Sequence, residues 1–154
     1  MIVDVITEIV IDRPKAVVAI FAGNPDNAPS WYENIETVER QTPPPLEVGS
    51  RVTFTAHFLK RRLTYTYEIT KLVPDEHLVM RTAEGPFPME TQYSWKDLGE
   101  NRTLMKLRNR GIPRGFSRLV ASIMAQAMRR TNRKDLSYLK RFLEDRSARN
   151  SDIN

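Results

Sequence analysis

The side chains that most often carry enzyme chemistry are scarce in this sequence. Its 154 residues include no cysteine and only two histidines, His57 and His77. Without cysteine there can be no disulfide, thiolate zinc site, iron–sulfur cluster or cysteine nucleophile. The HExxH and GxSxG motifs and glycine-rich phosphate loops are also missing. Ser117 stands near the start of a predicted helix, a position more typical of capping than of nucleophilic attack. The sequence alone therefore identifies no catalytic residue, no metal site and no cofactor.

Aromatic and hydroxyl side chains are the other groups that could act on a small molecule, and they recur at alternate positions. Apolar and polar residues alternate over 51–58, 63–70 and 89–96. This pattern predicts antiparallel strands with one covered face and one face in water. The covered faces carry six rings, those of Phe54, Phe58, Tyr65, Tyr67, Tyr93 and Trp95. The rings either fill a dry core or line a cavity whose hydroxyl groups orient a ligand, and the alternation leaves both interpretations open.

Weaker strands and three helical segments complete the predicted order. The weaker strands are 2–11, about 35–41, 77–83 and 102–109, and turn sequences rich in glycine and proline separate them. Asp12 is placed to cap a first helix that stops at Gly23, and a second short helix covers 26–32. The sequence from Phe116 onwards has neither glycine nor proline, so it predicts the longest helix.

That long helix carries two apolar stripes with helical spacing. The first consists of Phe116, Leu119, Val120, Ile123, Met124, Ala127 and Met128, and the second of Leu136, Leu139, Phe142 and Leu143. The second stripe is rotated from the first, and the polar segment 131–135 lies between them. Either the helix bends there, or Thr131 and Asp135 lie on the apolar face; we favour the bend.

A sheet of seven strands with one wet face needs a cover on its other face, and only the long helix is large enough. We therefore predict an α+β fold, in which a curved seven-stranded antiparallel sheet wraps around a long C-terminal helix and two short helices follow the first strand. Residues 1–146 are expected to form a single domain, since this is the usual size of one. Residues 147–154 are expected to form a flexible polar tail.

Several stretches of the sequence resemble the START-like (SRPBCC) helix-grip superfamily. They are DRPKAVVAIFAG at 12–23, NAPSWYENIETVE at 27–39, the P-x-x-VGSRV entry to the third strand at 45–52, and DLSYLKRFLED at 135–145. Within this superfamily the sequence is most similar to the polyketide cyclase/dehydrase and lipid-transport proteins, over about residues 2–145. The resemblance implies a deep cavity between the sheet and the terminal helix that holds apolar or amphipathic small molecules.

With this resemblance, the aromatic faces are assigned to a ligand-binding cavity. The expected lining is Phe54, Phe58, Tyr65, Tyr67, Met89, Thr91, Tyr93 and Trp95 from the sheet, and Phe116, Val120, Ile123, Met124 and Met128 from the helix. Trp31 either closes one end of the cavity or anchors a short helix to the sheet. Phe87, between two prolines, either forms a lip at the mouth or places its ring in the core. We favour the lip.

Charge is distributed unevenly along the chain. The net charge of +5 combines −5 over residues 1–101, +11 over residues 102–149 and −1 from Asp152. Four basic residues cluster on the long helix, Arg129, Arg130, Arg133 and Lys134. A solvated helix face is the simplest interpretation, and binding of RNA or of an anionic membrane surface is the alternative. No aromatic residues that could stack on bases are interleaved with them, which counts against recognition of RNA sequence.

The expected function is binding, transport or sequestration of a hydrophobic small molecule (a lipid, polyketide or quinone-like compound) by a monomer or homodimer. One alternative, a polyketide cyclase or dehydratase, rests on the resemblance alone. The other is a toxin-like protein that binds RNA or a membrane surface through its basic helix. No run approaches the ~20 apolar residues of a spanning helix. With no targeting segment evident, a cytoplasmic location is expected.

Overall fold

A computed structural model of the chain describes residues 3–58, 60–112 and 118–151. Phe116 and Ser117, and the side chain of Phe58, lie outside the described residues.

Seven antiparallel strands form one continuous sheet. They are β1 (Val3–Ile11), β2 (Ile35–Arg40), β3 (Arg51–Phe58), β4 (Arg61–Val73), β5 (His77–Glu84), β6 (Met89–Gly99) and β7 (Arg102–Gly111). Their order across the sheet is β1-β7-β6-β5-β4-β3-β2. Strands β2 to β7 therefore follow one another as a meander, and β1 adds to the free edge of β7, where Val3 pairs with Gly111 and Ile11 with Thr103.

Three helices accompany the sheet: α1 (Lys15–Ala22), α2 (Ala28–Trp31) and α3 (Arg118–Ser151), with a 3₁₀ turn at Pro25–Asn27 before α2. The prediction that Asp12 caps the first helix is wrong, because Pro14 is the N-cap and no side chain caps the helix. The backbone N–H of Asp12 instead donates to the Glu144 carboxylate at 3.2 Å, and Arg13 Nη1 donates to the Leu143 carbonyl at 2.6 Å. These bonds tie the start of α1 to the C-terminal part of α3.

One buried stripe runs along α3. It consists of Ala121, Met124, Met128, Asn132, Asp135, Leu136, Leu139 and Leu143, mostly spaced by three or four residues. The polar segment that suggested a bend is therefore part of one uninterrupted helix, and Asp135 lies on the buried face, the alternative that we did not favour. The helix also continues to Ser151, into the segment predicted to be a tail.

The core lies between the sheet and α3 and is completed by α1 and α2. Its largest members with no more than 1% exposure include Ile11, Trp31, Met105, Leu107, Leu136 and Leu139. Among the strands, α3 makes its closest backbone approach to β1, and among the helices to α2. The predicted α+β helix-grip architecture is therefore confirmed. The covering helix α3 lies toward the β1 edge of the sheet. Among the described residues, no helix combines the length and the apolar character needed to cross a membrane.

The buried stripe of α3 makes a direct prediction about stability. Leu139 is fully buried and Leu119, on the same helix, is 71% exposed. We expect Leu139→Ala to lower the free energy of unfolding by about 2–5 kcal/mol, because it removes buried methyl groups and leaves a cavity. Leu119→Ala makes the same chemical change on the exposed face and is expected to shift it by no more than about 0.5 kcal/mol. Urea unfolding measures both, and equal losses would contradict this packing of α3.

Candidate functional site

A cavity of about 180 Å³ lies between the sheet and α3. Its sheet wall comes from the covered faces of β3, β4, β5 and β6, with Asn109 of β7. Residues 22–35, which include the end of α1 and all of α2, contribute to one end, and α3 closes the other side with Met128, Thr131, Asn132 and Asp135. The cavity therefore occupies the part of the sheet that α3 does not approach closely.

Aromatic rings in contact with one another form much of the apolar wall of the cavity. Phe54 and Tyr67 meet edge to face with their ring centroids 5.7 Å apart. Tyr65 lies beside Tyr67, with 6.0 Å between their centroids, and meets the ring of Phe87 edge to face at 6.1 Å. Contacts of this geometry hold aromatic rings in fixed positions.

The turn between β5 and β6 brings Phe87 over Tyr65, and Gly85 makes that approach possible. A Cβ atom on Gly85 would stand 2.6 Å from Tyr65 Cδ1, closer than any side chain tolerates. The absence of a side chain at position 85 therefore lets the ring of Tyr65 lie in contact with the turn. Phe87 is half-buried and lines the cavity from this turn.

Two tyrosine hydroxyls meet at the other end of the cavity. Tyr32, just after α2, and Tyr93, on β6, share a hydrogen bond with 2.5 Å between their oxygens. Burial raises the pKa of both phenols above the ordinary value, so both are neutral at physiological pH. Only one of the two hydroxyl hydrogens lies in the shared bond. The hydrogen of the accepting hydroxyl is therefore available for a hydrogen bond to another group.

Asp135 places a carboxyl group beside this tyrosine pair. The residue is 1% exposed, and its Oδ1 accepts a hydrogen bond from the backbone N–H of Glu33 at 3.1 Å. The pKa of Asp135 is raised to about 7, chiefly by burial and to a smaller extent by the nearby Glu33 carboxylate. The Glu33 N–H and the Lys134 ammonium act in the opposite direction but do not offset burial. Lys134 itself is paired with Glu33 on the surface at 3.0 Å.

Asn132 adds an unsatisfied donor to the same wall. It is 5% exposed, and its side-chain Nδ2 is buried without a hydrogen-bond partner among the described residues. Such an unpaired N–H group is costly, since buried N–H groups are almost always hydrogen-bonded in folded proteins.

A second polar pair lies on the sheet, where Thr91 Oγ1 donates to Asn109 Oδ1 at 2.8 Å.

Eight residues of the expected lining do line the cavity: Phe54, Tyr65, Tyr67, Phe87, Met89, Thr91, Tyr93 and Met128. Trp31 and Trp95 do not; both are buried in the core cluster and flank Tyr93, with centroids 5.9 and 6.1 Å from its ring. Both tryptophans therefore pack against Tyr93, which lines the cavity, but do not line it themselves.

Three expected helix residues also lie away from the cavity. Ile123 is 52% exposed, Val120 is half-buried and Met124 is buried outside the lining. The reason is rotation about the helix axis. Ala121 and Met128 pack against Val3 and Val5 of β1, which turns positions 120 and 123 away from the sheet.

The sequence did not assign to the site several apolar residues of the sheet, such as Val52, Ile69 and Met80, or three polar residues, Tyr32, Asn132 and Asp135. A signal for the last two was present. Positions 128, 132, 135, 139 and 143 continue one helical face, but we interpreted the polar segment 131–135 as a bend. Tyr32 follows Trp31 and had no such signal.

The two histidines lie outside any metal-binding arrangement. His57 is an exposed residue at the rim of the cavity, and its Nε2 is hydrogen-bonded with Glu36 Oε1. His77 begins β5. Within the described ranges no group of three or more His, Asp or Glu side chains is placed to hold a metal ion.

The basic cluster lies outside the buried stripe of α3. Arg129, Arg130 and Arg133, with Gln126, surround a shallow surface depression. None of these three arginines forms an ion pair with another residue of the described part of the chain. Their charge therefore faces solvent and does not enter the cavity.

Comparisons with known proteins agree with this fold. The family model described as polyketide cyclase/dehydrase and lipid transport matches residues 3–144. An aromatase/cyclase, Zhui from Streptomyces sp. R1128, is similar in structure with a TM-score of 0.81 and 17% sequence identity over 96% of both chains. A START superfamily protein from Mycobacterium smegmatis has a TM-score of 0.79 and 12% identity over 91% of this chain and 98% of its own. Among curated proteins no match to the sequence was found.

The raised pKa of Asp135 predicts how stability depends on pH. Its ordinary pKa of 3.8 applies in the unfolded chain, so between about pH 4 and pH 7 the folded state holds a proton that the unfolded state has released. This group therefore lowers the free energy of unfolding as pH rises, by up to about 4 kcal/mol once the pH exceeds 7. Asp135→Asn should remove that loss, so the variant gains stability relative to the unmodified protein between pH 4.5 and pH 8.

Urea unfolding at several pH values measures the difference between the two proteins. Asp145→Asn is the control, because it removes an exposed carboxylate from the same helix. A difference between Asp135→Asn and the unmodified protein that stays constant over this range would contradict the buried placement of Asp135.

Proposed function

The chain belongs to the polyketide cyclase/dehydrase and lipid-transport family of the START-like (SRPBCC) superfamily, and from this premise we propose that it binds a small apolar or aromatic molecule in the cavity between its sheet and α3. The observation that carries the proposal is the cavity itself, with aromatic walls and a few buried polar groups at one end. This combination is typical of small-molecule sites.

The volume of the cavity limits the size of the ligand. At about 180 Å³ it is slightly larger than an engineered cavity of about 150 Å³ that binds benzene, and smaller than the roughly 300–1,000 Å³ of pockets for drug-sized compounds. We therefore expect one or two fused rings, or a segment of an aliphatic chain, to fit inside. A larger molecule would extend past Phe87 and the rim.

The polar groups at the Asn132 and Asp135 end of the cavity argue for an occupant. A purely structural core would leave Asn132 Nδ2 buried and unpaired, which costs about 1–3 kcal/mol for an ordinary polar group. A ligand that bonds to this group recovers part of that cost, because it supplies the missing acceptor.

Filling the cavity tests the proposal directly. Ala56, on β3, lines the cavity and is half-buried. We expect Ala56→Phe to weaken binding of 2-naphthol at least tenfold, because the new ring occupies the space that the ligand needs. Isothermal titration calorimetry with the purified protein measures the change.

Ala16→Phe is the matched control, since it adds the same ring on the exposed side of α1. It is expected to leave the affinity unchanged. Binding of 2-naphthol that is equally strong in both variants would show that the ligand lies outside the cavity.

A second candidate is an enzyme of the cyclase or dehydratase type. One observation favours it: the carboxyl group of Asp135 faces the cavity with a pKa of about 7, which suits a group that exchanges protons near neutral pH. The test is incubation with a linear poly-β-ketone thioester and analysis of the products by mass spectrometry. The enzyme function predicts a dehydrated, cyclised product that Asp135→Asn no longer forms although it still binds 2-naphthol. Identical products with and without protein would exclude this activity on that substrate.

A further inference from the structure

The polar groups on the α3 wall have unused hydrogen-bonding capacity of both kinds. Asn132 Nδ2 is a donor without a partner among the described residues. Asp135 uses Oδ1 to accept the Glu33 N–H, and no described residue bonds to its Oδ2. Residues three positions apart on a helix lie on the same face, one turn from each other. The wall therefore presents a donor and an acceptor side by side to whatever fills the cavity.

The same cavity lacks a balancing positive charge. No lysine or arginine belongs to the described residues that line it. The nearest charged groups around Asp135 are Glu33 and Lys134, which pair with each other at the surface, and Tyr32 and Tyr93 remain neutral. His57 stands at the rim, bonded with Glu36. An anionic ligand would therefore meet a carboxyl group at the polar end and no cation to stabilise it.

From these two features, and resting on the proposed function, we infer that the ligand is a neutral molecule with a carbonyl acceptor next to an N–H or O–H donor, held between Asn132 and Asp135. The carbonyl accepts from Asn132 Nδ2, and the adjacent donor binds Asp135 Oδ2. Carboxamides and enolised β-diketones have this arrangement, whereas fatty acids and phospholipids in their anionic forms do not.

The aromatic wall fixes the orientation of such a ligand. Phe54 and Tyr67 lie on the sheet side and Asn132 and Asp135 on the helix side of one cavity. A ligand with its polar group on α3 therefore places its rings against the sheet. Specificity then depends on the polar pair, because a site that offers hydrogen-bonding groups discriminates strongly against analogues that lack them.

Three naphthalene derivatives test this inference by calorimetry at pH 8 with the full chain. They are 2-naphthamide, which carries the donor and acceptor; 2-isopropenylnaphthalene, which has the same shape without polar atoms; and 2-naphthoate, which carries a negative charge. We expect 2-naphthamide to bind at least tenfold more tightly than either of the others. Asn132→Leu should reduce its advantage over 2-isopropenylnaphthalene at least fivefold, whereas Met124→Leu, an apolar change on the buried face of α3 outside the cavity lining, should preserve it.

Asp135→Asn provides a second variant in case Asn132→Leu does not fold. It removes the negative charge from the cavity while keeping its shape, so binding of 2-naphthoate should strengthen at least fivefold. If 2-isopropenylnaphthalene binds as tightly as 2-naphthamide, or 2-naphthoate does so in the unmodified protein, the inference is overturned and the proposed function stands. If none of the three binds, the proposed function falls with it.

Discussion

The structure depends on a mismatch of width between one helix and a seven-stranded sheet. A helix with its side chains is about 10–12 Å across, whereas seven strands at about 4.8 Å spacing span roughly 29 Å. Because α3 packs closest to β1 and α2, the covered faces of β3, β4 and β5 lie outside its closest approach. Large aromatic side chains from these strands narrow the gap, and a cavity of about 180 Å³ remains.

The polar residues of α3 follow from the same geometry. A helix that packs tightly along its whole length would carry only apolar residues on its buried face. On α3 the apolar stripe is interrupted at Asn132 and Asp135, where the helix faces the cavity. Burial there raises the pKa of Asp135 and leaves Asn132 Nδ2 without a hydrogen-bond partner among the described residues, so the free energy of unfolding is reduced where a ligand could interact. A local loss of stability of this kind is characteristic of functional sites.

Most of the fold can be predicted from the sequence because its strands have one buried and one exposed face, so apolar and polar residues alternate along them. Alternation at β3, β4 and β6 shows directly which side chains face inward, and Phe54, Tyr67 and Tyr93 were assigned to the correct face for this reason. The helix was harder to interpret. Its stripe continues through polar residues, and only tertiary packing against β1 shows that Met128 faces the cavity while Ile123 does not. Pairing of Tyr32 with Tyr93 joins residues distant in sequence, which no local pattern reveals.

The claim on which the account depends is that an open space lies between the aromatic wall of the sheet and α3. A crystal structure determined under xenon pressure measures this directly, because xenon occupies apolar cavities without requiring a specific ligand. We expect a xenon atom enclosed by Phe54, Tyr67 and Met80, all of which line the cavity. A crystal structure in which these side chains meet the α3 residues in direct contact, with no interior xenon, would contradict it.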